Sequence, residues 1–351
     1  MNEQEIKDIQ YMHRALQLAE FGGVQVAPNP MVGAVIVCDD KIIGEGYHQK
    51  YGEAHAEVHA VQSVKDISLL SQATIYVTLE PCAHHGKTPP CADLIVRHHF
   101  KRVVVACRDI NPKVSGKGIQ HIKDAGIEVT EGILEKEARE LNKRFFTFHG
   151  KGRPFVILKW AETQDGFMDR LPEDRKEGIN WITHSRMKLY VHTWRSKEQA
   201  ILVGWKTINN DNPQLNVRKI AGSSPLRFII DPHGKSNPDA TVFKDGNPTF
   251  VFTTKTSLPD LPSTVETITL PIINSLTILH ELYKRNILSV FIEGGKQTLE
   301  HFIEEDYWDE AYQLIGNTTF TRGVPAPTLK NRIFITFESV ENDFIQYFIH
   351  I

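Results

Sequence analysis

Three potential metal ligands and one acidic residue lie close together in the first half of the chain. A single residue separates His55 from Glu57, and eight separate Cys82 from Cys91. One imidazole and two thiolates can hold Zn²⁺ tetrahedrally and leave its fourth position open for water. Side chains so far apart in sequence meet at one ion only when helices and strands bring them together. The pattern therefore demands a defined fold around residues 55–91.

Hydrophobic periodicity predicts that the first half alternates between helices and strands. Helical stripes are predicted at 5–21, 55–64 and 92–98, and strands at 31–37, 74–79, 102–106 and 127–130. The alternation indicates a sheet with helices on its faces. It places His55 and Glu57 at a helix start and Cys91 at the next helix N-terminus, which favours a thiolate.

A second domain is predicted after a linker at about 150–153, where glycine, proline and charge cluster. The predicted domains are residues 1–149 and 154–351, because 351 residues exceed the usual size of one core. Further strands are predicted at 155–160, 200–203, 227–230, 249–252 and 289–292. The glycines at 294–295 indicate a turn into a helix, which is either an ordinary tight turn or a phosphate site.

Composition limits the classes of function. The net charge is −3 and no basic block occurs, which argues against a nucleic-acid partner. The polar, acidic N-terminus does not resemble a signal peptide, and the longest apolar runs are too short for a membrane span. In a chain of this kind, four cysteines favour metal binding over disulfides. We therefore expect a cytoplasmic enzyme without membrane or nucleic-acid partners.

The joint pattern is typical of zinc deaminases, in which one His and two Cys hold the metal and a nearby Glu moves protons. It predicts His55, Cys82 and Cys91 as zinc ligands and Glu57 as the catalytic residue. Taken separately, residues 55–57 could lie on the solvent-exposed face of a helix, and the cysteines could be buried thiols without a metal. Two residues usually separate the cysteines in such enzymes, whereas the eight found here include His and Lys side chains that suit a phosphorylated substrate.

Residues 81–91 resemble the long cysteine loop of the bifunctional deaminase/reductase family of riboflavin biosynthesis. The resemblance covers nearly the whole chain, including residues 29–35, 46–48, 109–113, 159–166, 180–183, 201–213 and 293–295. It implies an α/β protein with an N-terminal cytidine-deaminase-like three-layer α/β/α domain. It also implies a C-terminal dihydrofolate-reductase-like α/β domain.

The resemblance further implies two successive reactions on one small molecule. The first domain would deaminate 2,5-diamino-6-ribosylamino-4(3H)-pyrimidinone 5′-phosphate with zinc. The second would use NADPH to reduce the ribosyl group to ribityl. The implied partner is this phosphorylated aminopyrimidine, and we expect a homo-oligomer. The sequence does not identify a proton donor for the reduction.

Site residues follow from the resemblance position by position. In the first domain, the substrate-binding residues would be Asn29, His48, His84 and Lys87. In the second domain, the cofactor would contact Ala161, Trp181, Thr183, Thr207, Asp211, Gly295, Lys296, Gln297 and Thr298. The substrate there would contact Thr163, Asp165, Arg195, Leu215, Arg218 and Glu293.

Other interpretations of these residues stay open on sequence alone. Arginine forks match phosphate oxygens, but Arg195 and Arg218 could equally form surface ion pairs. Trp181 and Leu215 could be core residues, and Asp165 precedes a glycine as in an ordinary turn.

Two other classes of protein compete with this hypothesis. One is a nucleoside or tRNA deaminase with a non-reductase accessory domain, against which the long cysteine loop and the lack of a basic patch argue. The other is a non-enzymatic protein stabilised by zinc. Glu57 argues against it, because a structural metal site needs no acid beside an open coordination position.

Overall fold

The computed structural model describes residues 2–83, 89–110, 115–175, 180–258 and 260–351. The chain divides into two compact units, Met1–Gly152 (unit 1) and Arg153–Ile351 (unit 2). The last helix of unit 1 continues to Lys151, so the predicted linker at 150–153 is partly helical.

Unit 1 is built around one five-stranded sheet in the order β2-β1-β3-β4-β5. Its strands are β1 Gly33–Cys38, β2 Lys41–Tyr47, β3 Thr74–Leu79, β4 Arg102–Cys107 and β5 Glu128–Glu131. Its helices are α1 Glu3–Glu20, α2 Ala56–Gln62, α3 Cys91–Arg97, α4 Lys117–Asp124, α5 Glu135–Leu141 and α6 Lys143–Lys151. Strands β3, β4 and β5 are parallel, and β1 is antiparallel to both of its neighbours.

Both faces of this sheet are covered, which explains why its strands are continuous apolar runs. All six residues of β1 are buried. Ala34 and Ile36 pack with α2, α3 and α4, whereas Val35 and Val37 pack with α1 and α5 on the opposite face. The alternating direction of strand side chains therefore produces three layers. The predicted three-layer α/β/α fold is confirmed.

A glycine in β2 fixes the position of α2. A Cβ at Gly46 would lie 2.3 Å from the backbone nitrogen of Ala60 and 2.6 Å from the carbonyl oxygen of Ala56. Only glycine permits this close approach of strand and helix. The start of α2, with His55 and Glu57, is thereby held against the sheet.

Unit 2 contains a nine-stranded sheet in the order β11-β10-β9-β8-β12-β6-β13-β16-β15. Its strands are β6 Phe155–Thr163, β8 Ala200–Gly204, β9 Leu226–Ile230, β10 Thr249–Thr253, β11 Val265–Thr269, β12 Ser289–Ile292, β13 Glu310–Gly316, β15 Arg332–Val340 and β16 Asp343–His350. The short strands β7 Phe167–Asp169 and β14 Val324–Pro325 pair separately. The helices are α7 Met187–Ser196, α8 Trp205–Asp211, α9 Thr241–Lys244, α10 Ser275–Lys284 and α11 Lys296–Glu304.

The sheet of unit 2 is parallel from β11 to β13, and an antiparallel hairpin of β15 and β16 completes it. Helices α10 and α11 cover one face, and α7, α8 and α9 cover the other. The neighbouring strands β8, β12 and β6 all end at one edge. Carboxyl ends of parallel strands are where open α/β sheets bind ligands.

The predicted fold class of two α/β domains is confirmed, although several elements were not predicted. Strand β3 has the predicted bounds, 74–79. Strand β2 was missed because its two glycines weaken the apolar pattern. Strand β15 is exposed at every position before Val340, so it lacks the expected alternation. Among the described residues, no helix is both long and apolar enough to cross a membrane.

Candidate active sites

The three predicted metal ligands of unit 1 converge. The Nδ1 atom of His55 lies 3.6 Å from Sγ of Cys82 and 3.4 Å from Sγ of Cys91. Tetrahedral zinc, with Zn–S bonds of about 2.3 Å and Zn–N bonds of about 2.0 Å, separates such atoms by roughly 3.6 Å. These residues are the one group of this kind found among the described residues. The donor set therefore fits a zinc ion.

Local structure explains the convergence. His55 is the residue before α2, in an extended conformation, and Cys91 is the first residue of α3. The backbone N–H groups of Cys91 and Ala92 donate to Sγ (3.4 Å) and to the carbonyl oxygen (3.1 Å) of Cys82. Hydrogen bonds from Cys91 and His55 lower the pKa of Cys82 to about 4, against the opposing effect of burial. This thiol is therefore ionised at neutral pH, as a metal ligand must be.

Glu57 lies in the first turn of α2 with only 3% of its surface exposed. Burial raises the pKa of its carboxyl group above the ordinary value. Its side chain is hydrogen-bonded to the thiol of Cys91. A carboxyl group with a raised pKa beside the ligand set is suited to accept a proton and to return it.

Two predicted substrate-binding residues, Asn29 and His48, contact each other. The Nδ2 atom of Asn29 lies 3.1 Å from Nε2 of His48, and Nδ1 of His48 lies 3.0 Å from the carbonyl oxygen of Ala54. Because Nδ1 must donate to that carbonyl, Nε2 accepts from the amide of Asn29. The His48 ring is 5.4 Å from the His55 ring between centroids. The hydrogen-bonded pair Asn29 and His48 therefore lies next to the metal ligand His55.

Glu80 links the cysteine loop to helix α4, although no sequence pattern predicted a role for it. Its carboxylate accepts backbone N–H groups from Asp109 (3.3 Å), Gly116 (2.9 Å), Gly118 (3.0 Å) and Ile119 (3.3 Å). These bonds satisfy donors at the start of α4, where a helix has no partners of its own. The segment before Cys82 is thus tied to the start of α4.

The remaining predicted substrate-binding residues of unit 1, His84 and Lys87, lie outside the described residues. Ile110 is described, but the rest of the predicted motif after it, residues 111–113, is likewise outside them.

Unit 2 has a cavity of about 1120 Å³ at the carboxyl ends of β8, β12 and β6. All of the predicted cofactor-binding residues line it, namely Ala161, Trp181, Thr183, Thr207, Asp211, Gly295, Lys296, Gln297 and Thr298. Four of the predicted substrate-binding residues also line it: Arg195, Leu215, Arg218 and Glu293. The volume exceeds that of an ordinary small-ligand pocket, and it suits a dinucleotide together with a second molecule.

The predicted glycine turn lies at the floor of this cavity. A Cβ at Gly294 would lie 3.0 Å from the backbone nitrogen of Gly204 at the end of the neighbouring strand. The backbone N–H of Gly295 donates to Oγ1 of Thr207 (3.1 Å). Glycine therefore allows α8 and α11 to begin side by side. The absence of a side chain here leaves room for NADPH, so the residues present fit that cofactor.

Glu293 holds two cations at the end of β12. Arg195 donates to both of its oxygens (2.6 and 2.9 Å), and Nζ of Lys159 lies 3.6 Å from Oε2. Burial raises the pKa of Glu293, but the two cations outweigh burial and hold it at about 2. Burial lowers the pKa of Lys159. The alternative that Arg195 forms a surface ion pair is wrong, because its side chain is only 12% exposed.

Two other predicted cofactor residues have charged neighbours at the cavity wall. Asp211 pairs with Arg175, which also pairs with Asp169. Burial raises the pKa of Asp211, against the opposing effect of Arg175. Trp181 is 56% exposed, with Nζ of Lys188 3.5 Å from the centroid of its ring. The alternative that Trp181 is a core residue is therefore wrong, whereas Leu215 is both buried and cavity-lining.

Thr163 and Asp165, which are predicted to contact substrate, are not among the residues that line the cavity. Thr163 is fully buried, and its hydroxyl group donates to Asp165 (2.5 Å) and accepts from the N–H of Phe167 (3.0 Å). Asp165 also accepts the N–H groups of Phe320 and Thr321. Both side chains are already saturated by the turn between β6 and β7, which is the alternative stated for Asp165.

Lys159 and His192 also line the cavity, although neither was predicted as a site residue. Lys159 lies in a segment of family resemblance, but a single lysine in a strand carries no functional signal. His192 precedes Arg195 by one helical turn, and that spacing alone could have indicated a shared face.

The fold and the two sites define a two-unit enzyme in which a zinc-binding deaminase precedes a reductase. The family model "Cytidine and deoxycytidylate deaminase zinc-binding region" matches residues 5–107, and the model "RibD C-terminal domain" matches residues 154–320. The riboflavin biosynthesis protein RibD of Aquifex aeolicus is 40% identical over 322 residues, covering 90% of this chain and 89% of that protein. RibD of Bacillus amyloliquefaciens is 42% identical, covering 88% and 85%.

Solved structures agree over the full length. A diaminohydroxyphosphoribosylaminopyrimidine deaminase/5-amino-6-(5-phosphoribosylamino)uracil reductase from Thermotoga maritima superposes with a TM-score of 0.91 at 37% identity, covering 99% of this chain and all of that one. Acinetobacter baumannii RibD gives a TM-score of 0.89 at 35% identity, covering 98% and 99%.

The chain belongs to the RibD family. It is a bifunctional deaminase and reductase of riboflavin biosynthesis that acts on a small molecule, with zinc and NADPH as its cofactors. The predicted function and cofactors are confirmed. An accessory domain without reductase activity is not favoured, because the relatives match both units.

Proposed function

We propose that residues 1–149 deaminate 2,5-diamino-6-ribosylamino-4(3H)-pyrimidinone 5′-phosphate and that residues 154–351 reduce the product's ribosyl group to ribityl. The convergence of His55, Cys82 and Cys91 beside the buried carboxyl group of Glu57 carries the first assignment. The Thermotoga maritima relative, a diaminohydroxyphosphoribosylaminopyrimidine deaminase and 5-amino-6-(5-phosphoribosylamino)uracil reductase, supports the choice of substrate.

In the deaminase reaction, His55, Cys82 and Cys91 hold zinc, which when bound lowers the pKa of a water molecule for attack on the ring carbon. Glu57 would accept one proton from that water and pass it to the ring nitrogen. It would then carry the second proton of the same water, from the new hydroxyl group, to the amino group, which leaves as ammonia. Asn29 and His48 orient the substrate. Their hydrogen bonds to each other and to Ala54 keep both side chains in place before the substrate arrives. We assign His84 and Lys87 to the substrate phosphate by resemblance alone.

In the reductase reaction, NADPH supplies a hydride to C1′ of the opened sugar. The predicted cofactor-binding residues that line the cavity would hold it, and the N-terminus of α11 after Gly295 would suit its phosphates. Glu293 holds Arg195 and Lys159 in fixed positions, and Arg195 and Arg218 bind substrate. Leu215 lines the same cavity and would contact the substrate.

We further propose a cytoplasmic homo-oligomer without a nucleic-acid partner. The ionised thiol of Cys82 and its partner Cys91 require a reducing compartment to stay available for zinc, which supports a cytoplasmic location. The long, exposed outer strand β15 supports self-association, because unpaired strand edges favour pairing with a second chain.

The direct test is incubation of zinc-loaded protein with the diaminopyrimidinone ribosylamine phosphate, with and without NADPH, followed by mass spectrometry. Without NADPH, we expect only the mass change for an amino group replaced by a carbonyl. With NADPH, we expect a further gain of two hydrogens. Folded, zinc-loaded protein that produces neither change would refute the proposed substrate.

A further inference from the structure

His192 is an unassigned polar residue in the wall of the reductase cavity. It lies in α7, one turn before Arg195, and only 4% of its surface is exposed. Buried polar groups normally have hydrogen-bond partners inside the protein. The two ring nitrogens of His192 differ in this respect, and the difference points to a ligand.

The first ring nitrogen, Nδ1, accepts the backbone N–H of Arg218 (3.2 Å). Nδ1 therefore carries no proton, and the neutral ring must carry its hydrogen on Nε2. The second nitrogen, Nε2, has no hydrogen-bond partner among the described residues. It is also not among the fully enclosed polar atoms that lack one. Since His192 lines the cavity, this N–H group is open to whatever the cavity holds.

The ring is uncharged at neutral pH. Burial lowers the pKa of His192 to about 4, with further lowering by the positive charges of Arg195 and Arg218. A neutral ring can donate through Nε2–H without adding repulsion to the two guanidinium groups. It remains a donor throughout the physiological pH range.

The surroundings of His192 carry an excess of positive charge. Arg218, Lys188 and Lys219 all line the cavity, and none forms an ion pair with a carboxylate of the described chain. Glu293, which also lines the cavity, is already shared by Arg195 and Lys159. Unpaired cations grouped around a free N–H donor favour an anionic ligand, and phosphate is the anion that arginine and such donors bind well.

We infer that His192 donates from Nε2 to the 5′-phosphate of the sugar substrate and, through Nδ1, holds the backbone of Arg218 in position to bind the same phosphate. The inference rests on the proposed reductase function and adds to it a residue with two separate contacts. His192 is therefore a substrate-binding and positioning residue rather than a proton donor in the reduction.

Two substitutions separate the two contacts. In His192→Asn, the amide can occupy the place of Nδ1 and accept the N–H of Arg218, but nothing replaces Nε2. In His192→Gln, the longer side chain brings an amide nitrogen to the place of Nε2. We expect His192→Asn to weaken binding of ribose 5-phosphate about tenfold, which corresponds to one charge-assisted hydrogen bond. We expect a smaller loss in His192→Gln.

Isothermal titration of the zinc-loaded, full-length protein with ribose 5-phosphate, with ribose and with NADP⁺ decides the inference. Affinity for NADP⁺ should stay within about twofold of that of the unsubstituted protein, and reductase KM should rise with little change in kcat. The exposed His280 of α10, replaced by Asn, is the matched control and should change nothing. Circular dichroism checks that each variant is folded.

Unchanged ribose 5-phosphate affinity in His192→Asn overturns the inference, as does the lack of any preference for ribose 5-phosphate over ribose in the unsubstituted protein. Failure of the proposed function gives a different result. In that case the unsubstituted protein reduces no substrate, while the phosphate titrations still decide the role of His192.

Discussion

The ammonium nitrogen of Lys159 lies 3.6 Å from Oε2 of Glu293, inside the sheet edge that forms the cavity floor. The two residues are neighbours because Leu158 of β6 pairs with Ile292 of β12 in parallel register. Arg195 of α7 approaches the same carboxylate from a helix. One negative charge therefore joins two strands and a helix at the edge of the cavity.

Replacing Glu293 by Gln should both destabilise unit 2 and abolish reduction. The substitution leaves two buried cations without a counter-charge, which costs about 3 kcal/mol or more. All five tryptophans lie after residue 153, so urea unfolding followed by tryptophan fluorescence reports on unit 2 within the intact chain. Glu266→Gln, which removes a half-exposed partner of Arg285, should cost less than about 1 kcal/mol. Equal losses in the two variants would contradict the importance of the buried cluster.

Glu293 also predicts how the stability of unit 2 depends on pH. Its pKa is about 2 in the folded chain and about 4.3 when unfolded, so its folded pKa is depressed. The stabilisation is fully present above the unfolded pKa and is lost as pH falls through the folded pKa. The stability difference between the original protein and Glu293→Gln should therefore be constant near neutral pH and shrink between about pH 4.3 and 2. A difference that does not shrink on acidification would refute this assignment.

Glu57→Gln should separate zinc binding from deamination. The amide keeps the size of the side chain but cannot carry a proton, so we expect deamination to fall by about a hundredfold or more. Zinc content, measured by atomic emission, and NADPH-dependent reduction of the deaminated substrate should both persist. The exposed neighbour Glu53, replaced by Gln, serves as the control. Full deamination with normal zinc content in Glu57→Gln would remove Glu57 from the mechanism.

Gly118→Ala should weaken zinc binding although Gly118 touches no ligand. A Cβ at this position would lie 1.8 Å from the carbonyl oxygen of Pro81, so the residue before Cys82 must move. Displacing the support of a metal ligand typically lowers metal affinity about 10- to 100-fold. Competition with a zinc-sensitive dye measures the change. Gly150→Ala is the control, because its Cβ would approach only the flexible end of Ile110 (3.1 Å), and normal affinity in both variants would contradict the prediction.

Asp8→Asn should destabilise unit 1. The carboxylate of Asp8 accepts from both terminal nitrogens of Arg102 (2.8 and 2.7 Å) and from the hydroxyl group of Tyr76 (2.8 Å). Burial raises the pKa of Asp8, but these partners outweigh burial and lower it. Loss of the buried charge pair should cost about 3 kcal/mol, observed as zinc release at lower urea concentration. Asp40→Asn removes an exposed partner of Lys7 and should have little effect, so a similar loss there would argue against the buried pair.

The site of unit 1 was largely predictable because its ligands lie at the ends of helices and loops, which local sequence patterns mark. His55 precedes a helix, and Cys82 and Cys91 bound one loop, so local patterns indicate where each side chain begins. The contacts of Glu80 with α4 were not predictable. They depend on the close parallel pairing of β3 and β4, which no local pattern specifies.

The site of unit 2 was harder to predict from sequence, because its contacts also depend on which strands are neighbours in the sheet. Residue types and motif spacing indicated a turn at Gly295, but the grouping of Lys159, Arg195 and Glu293 depends on strand order. Thr163 and Asp165 have polar side chains in a recognisable segment, yet turn hydrogen bonds already occupy them. Motif resemblance specifies which residues recur, and only three-dimensional structure specifies which of them are free to bind.

The carboxylate of Glu80 gives unit 1 a cooperative unit of local unfolding. One side chain accepts the backbone N–H groups of residues 109, 116, 118 and 119 and lies two residues before Cys82. We therefore expect the start of α4 to stay closed while Glu80 stays in place. Segments that share such a partner exchange their amide hydrogens together rather than singly. Removal of zinc should therefore increase the rate of amide hydrogen exchange at the start of α4 as well as in the cysteine loop.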